Sequence, residues 1–181
     1  MRHDSIKLAT EETVAKAFVD HLAALGTPTV SRRPGDPGEP DIVCTGVDGR
    51  EFGIEITAGY HGPQDARQLR TIVADLARSG KRQTVMSTSG MEDADLPPGL
   101  IRNPDLKLAT NLQKAMESKR LKRFGIRTYL ILDGSWAPIT KTEDAPAILA
   151  QLKRPDPFPY VDVLLCLTQN WTGGREFFRV P

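Results

Sequence analysis

Residues 8–25, "LATEETVAKAFVDHLAAL", place apolar side chains at Val14, Phe18, Leu22 and Leu25, the rhythm of a helix with one buried stripe. Thr10 is positioned to cap its start, and Gly26 to close it. "TPTVSRR" then predicts a first strand, and "PGDPGEP" a connection punctuated by proline and glycine. Residues 39–57, "EPDIVCTGVDGREFGIEIT", alternate apolar and polar positions on both sides of Asp48-Gly49 and predict a hairpin. Residues 64–79 carry Leu69, Ile72, Val73 and Leu76 at helical spacing, whereas residues 80–103 hold no sustained period and predict a surface excursion. A long helix over 104–123, a strand "IRTYLILD", a helix "EDAPAILAQLK" and a final strand pair, "YVDVLLCLT" and "REFFRVP" around "QNWTGG", complete the pattern. The order predicts an α/β fold: a mixed sheet flanked by helices, in one domain over 1–181 with an insertion at about 58–103.

Turn length decides which face each hairpin side chain occupies. A two-residue loop of Asp48 and Gly49 sets Asp41 against Ile56 and Ile42 against Glu55, mixing acids with apolar groups on both faces. A three-residue loop, Val47-Asp48-Gly49, pairs Gly46 with Arg50, Cys44 with Phe52 and Ile42 with Ile54, and separates the two kinds of side chain. The second register puts Asp41 opposite Glu55. Like charges placed that way repel, so the pair calls for a cation or a raised pKa, unless both strand ends are simply solvated.

Helical phase adds two more groups. At about 100° per residue, Glu11 lies about 20° from Phe18 and extends the apolar stripe, although an acid in a first turn is also favoured by the helix dipole. On the long helix the stripe is Leu108, Leu112, Ala115 and Met116; Lys119 falls about 20° from Leu112, while Lys114 points away. A lysine in line with a core stripe either snorkels past the helix end or meets a carboxylate.

Composition narrows the field only a little. The 181 residues are 26% charged and 39% hydrophobic, suited to a folded globular domain. The longest apolar segment, "VDVLLCL", is far short of the roughly 20 residues that cross a bilayer, and the N-terminus lacks a signal peptide's apolar centre. A cytoplasmic location without membrane partners is therefore expected. Cys44 and Cys166 read as buried free thiols. A net charge of +1 offers no global argument for nucleic acid. Local clusters do more: Arg32 and Arg33 before Asp41; Arg120, Lys122, Arg123 and Arg127 after the long helix; and Arg67, Arg70, Arg78, Lys81 and Arg82 in the insertion. Each is either a solvated face or a phosphate contact. His3, His21 and His61 have no metal-site spacing, "STSGM" at 87–91 is no nucleophile elbow, and "NWTGGRE" lacks the lysine and helix of a phosphate loop.

"PD" at 40–41 and "EIT" at 55–57 across a hairpin, behind a helix bearing Glu11, resemble the PD-(D/E)XK nuclease superfamily, with the element order from residue 8 to about 134 resembling its core. The resemblance implies a restriction-endonuclease-like fold and metal-dependent hydrolysis of phosphodiester bonds in DNA. It implies that Asp41, Glu55 and Glu11 hold Mg²⁺ (or Mn²⁺), which acidifies a bound water and neutralises charge on the transferring phosphate. The family's lysine, two residues after the strand Glu, is here Thr57. Members with that lysine moved to the following helix make Lys119 the candidate to position the water, with Thr57 able to hydrogen-bond it. DNA is the expected partner, reached through Arg32, Arg33, Arg120, Lys122 and Arg123, and a homodimer is compatible. The competing class is a member of the fold that binds nucleic acid or protein without cleaving.

Overall fold

A computed structural model describes residues 2–58, 104–134, 142–169 and 174–181. The helix expected at 64–79, the excursion at 80–103 and the "NWTGG" turn lie outside the described residues, as do the basic side chains of that insertion.

The first helix, α1, spans Arg2–Ala24 and starts well before residue 8. Thr10 is therefore not its cap. No glycine or proline interrupts 2–24, and mid-helix hydroxyls are absorbed by the helix: Thr13 Oγ1 donates to the Ala9 carbonyl at 2.7 Å. Gly26 closes the helix with φ 84°, where Thr27 N–H returns to Leu22 O at 2.9 Å. Leu25 falls beyond the last turn and is exposed rather than part of the stripe.

Strand β1 (Thr29–Pro34) pairs antiparallel with β2 (Ile42–Gly46), and β2 with β3 (Glu51–Ala58). The hairpin takes the three-residue loop: Ile42 faces Ile54, Cys44 faces Phe52, and Gly46 N–H donates to Arg50 O at 2.9 Å. Gly49 makes that loop possible, since its φ of 76° is a conformation other residues adopt only at a cost.

After the insertion, α2 (Pro104–Ser118) precedes β4 (Arg127–Asp133). A 3-10 turn (Thr142–Asp144) and the five-residue α3 (Ala145–Leu149) then lead to β5 (Asp162–Gln169) and β6 (Gly174–Arg179). The described strands form one mixed sheet in the order β1-β2-β3-β4-β5-β6, with β3, β4 and β5 parallel and the outer pairings antiparallel. Both α2 and α3 are shorter than expected. Past Ser118 the N–H groups of Lys119 and Arg120 reach back three residues, to Met116 O and Glu117 O, tightening the chain out of the helix. Arg123 Nη1 donates to the carbonyls of Arg120 and Lys122, both at 2.8 Å, and stabilises the turn that replaces the helix's expected last residues. Beyond α3, Gln113 takes Lys153 N–H at 2.8 Å and donates to its carbonyl at 3.0 Å, which holds the chain against α2.

Strand alternation divides the core. On one face Val14, Phe18 and Leu22 of α1 pack on Ile42, Ile54, Ile56, Ile131 and Cys166. On the other, Leu108, Leu112 and Met116 of α2 and Ile148 of α3 pack on Leu130, Leu132, Val163 and Leu165. Ala115 is only partly buried. Any acid placed between Ile54 and Ile56 must therefore point toward α2.

Candidate functional site

Glu55 is that acid, and its side chain is fully buried beneath the end of α2. A carboxylate in such a place requires compensation. Lys119, one residue past α2, brings Nζ to 2.6 Å from Glu55 Oε1 with its side chain 19% exposed, so the lysine in phase with the stripe meets a carboxylate instead of snorkelling. Lys122 reaches the same oxygen at 2.5 Å from the turn beyond, and its Nζ lies 5.7 Å from the centre of the Phe124 ring. Glu55 Oε2 is buried with no hydrogen-bond partner among the described residues.

Asp41 immediately precedes β2, and continuing the Ile42–Ile54 register sets it opposite Glu55. Its Oδ2 accepts the Ile56 N–H at 2.8 Å. The position depends on the preceding proline. A Cβ at Gly53 would run into the Pro40 ring and come within 2.8 Å of Thr128 Oγ1, so the bare glycine lets Pro40 rest against the sheet and sets the approach of Asp41. Thr57 has the same strand parity as Glu55 and is half-buried.

Electrostatics tie these groups together. Burial opposes the charge on Lys122, but the hydrogen bond to Glu55 and the charges of Glu55 and Asp41 more than offset it, holding its pKa above the ordinary lysine value. Tyr160, just ahead of β5, was not anticipated. Its hydroxyl is buried without a hydrogen-bond partner among the described residues, and burial first, then the charges of Glu55 and Asp41, pushes its ionisation well above the usual tyrosine range. Phe124 and Phe158 pack on its ring. Only its place beside the acids reveals it; an isolated tyrosine in "FPYVD" carries no sequence signal.

Glu11 is buried on the α1 stripe, which packs against the opposite face of the sheet from Glu55. Arg32 and Arg33 lie on β1, within the strand expected at "TPTVSRR", and both are engaged by acids of the chain: Arg32 Nη2 lies 2.6 Å from Glu12 Oε1, and Arg33 Nη1 2.6 Å from Glu39 Oε2. Arg120, Arg123 and Arg127 are exposed. Cys44 and Cys166 are buried free thiols; burial raises Cys44 to about 11 and Cys166 further still.

Among the described residues no group of three His, Cys, Asp or Glu side chains is gathered to hold a metal. Asp41 and Glu55 nonetheless suit a hard divalent ion. Mg²⁺ is commonly held by one or two carboxylates, with waters and substrate phosphates completing its shell, and Glu55 keeps a buried oxygen without a donor among the described residues.

Compared with protein-family models, curated proteins and solved structures, the chain matches none of the three. Its class is that of an α/β protein with a mixed sheet. No helix of the described residues is long and apolar enough to cross a membrane.

Proposed function

We propose that this protein is a restriction-endonuclease-like, metal-dependent nuclease acting on DNA in the cytoplasm. The observation that carries the reading is Lys119 Nζ at 2.6 Å from the buried Glu55, with Asp41 across the hairpin, because this supplies an ammonium from the following helix where β3 has Thr57. Asp41 and Glu55 would hold Mg²⁺ or Mn²⁺. That ion would supply Lewis acidity, drawing off charge from the phosphate under attack. Lys119, kept in place by Glu55, would donate a hydrogen bond to the attacking water or to a non-bridging phosphate oxygen. Thr57 offers a hydrogen bond but no charge. Arg120, Lys122 and Arg123 would attract the DNA backbone, while Arg32 and Arg33 would have to trade their acidic partners for phosphate.

One observation favours a second reading, a non-cleaving binding module: both ammonium groups already converge on Glu55 Oε1, balancing the acids without an ion. Nicking of supercoiled DNA with Mg²⁺ or Mn²⁺ by the intact protein and by Asp41→Ala, Glu55→Ala and Lys119→Ala separates the two. Activity lost in all three variants supports the enzyme. DNA binding with neither nicking nor metal uptake supports the module.

A further inference from the structure

The two lysines on Glu55 are not equivalent. Lys119 lies directly after α2, its backbone N–H tied to Met116 O at 3.1 Å, and its side chain is 19% exposed. Lys122 rises from the turn beyond, and its side chain is 44% exposed. Two like charges converge on Oε1 while Oε2 accepts nothing from the described residues, so mutual repulsion opposes the doubly bridged state. Lys119 is built into the wall of the site. Lys122 stands on its solvent side, in the same turn as the exposed Arg120 and Arg123.

Charge counting gives the arrangement a function. Among the described residues, Asp41 and Glu55 carry two negative charges and the two lysines on Glu55 two positive ones, so a divalent ion entering would leave these four groups with two excess positive charges. Resting on the nuclease reading above, we propose that Lys122 is a displaceable counter-ion, which occupies Glu55 Oε1 in the metal-free protein, is released when a divalent cation binds Asp41 and Glu55, and then engages a backbone phosphate of the nucleic acid. Lys122 and the cation repel one another at the one carboxylate, so each weakens the other's hold on Glu55. Metal loading and phosphate capture are consequently coupled, each strengthening the other by the same factor.

Calorimetric titration of Mn²⁺ without DNA tests this, using the intact protein, Lys122→Met, Lys122→Gln and Glu55→Ala, with Lys114→Met on an exposed side of α2 as a control for general charge. Removing the competing ammonium is expected to tighten Mn²⁺ binding at least about fivefold in both Lys122 variants and to leave Lys114→Met unchanged. In filter binding, the gain in DNA affinity brought by Mn²⁺ should shrink in both Lys122 variants. Mn²⁺ affinity that depends on Glu55 yet is unchanged or weaker in both Lys122 variants overturns the displaceable counter-ion and leaves the metal site standing. No Mn²⁺ uptake by the intact protein, or uptake indifferent to Glu55→Ala, overturns both.

Discussion

Asp41 Oδ2 accepts the backbone N–H of Ile56 at 2.8 Å, which binds the acid ahead of β2 to the residue that follows Glu55. The bond makes Asp41 a structural acceptor as well as a candidate ligand, and two substitutions separate these roles. Asp41→Asn keeps an oxygen for Ile56 N–H; Asp41→Ala leaves that donor unpaired. Urea unfolding should show Asp41→Ala about 1–3 kcal/mol less stable and Asp41→Asn near the intact protein, with DNA nicking lost in both.

Because two lysines share Glu55, removing either leaves the buried carboxylate one partner. Lys119→Met or Lys122→Met alone should cost less than the double variant, which strands the charge and should lose about 3–5 kcal/mol. A double-mutant cycle by chemical denaturation would show the two losses to be more than additive. Simple additivity would mean that the ammonium groups act independently.

Gly53→Ala drives a methyl group into Pro40 and Thr128, and an expected loss of about 1–3 kcal/mol follows from such overpacking. Adding Pro40→Ala should recover part of it. Nicking by Gly53→Ala should fall further than its stability alone explains, because Asp41 follows Pro40 directly.

Glu39 gives a pH signature. Its hydrogen bonds from Arg33 and from Asp36 N–H hold the carboxyl at about 2, against an ordinary value of 4.5. A depressed carboxylate stabilises the fold above its unfolded pKa and loses that contribution as pH falls through the folded one. The loop leading to Asp41 should therefore loosen between pH of about 4.5 and about 2. The difference in unfolding midpoint between pH 6 and pH 3 should be smaller in Glu39→Gln than in the intact protein.

The hairpin register was legible because only one loop length separates acids from apolar groups, and a one-residue slip would bury the wrong set. Lys119 was legible because it sits a single residue beyond the regular helix, close enough for helical phase to hold. Sequence alone groups Lys122 with the basic cluster and not with Glu55, since the chain leaves the helix before it and bonds three residues apart set its direction. Glu11 was legible as a buried position because it lies in phase with Phe18 on the α1 stripe. Tyr160 comes to the acids through tertiary packing alone.

One edge of the described sheet is β1, where every residue from Val30 to Pro34 is exposed. Along such a border, unpaired peptide groups invite other chains to add themselves as further strands. Here Pro34 removes one donor, while Arg32 and Arg33, steadied by Glu12 and Glu39, line the rim with charge. The same arginines that suggested contact with DNA thereby guard the molecule against edge-to-edge aggregation.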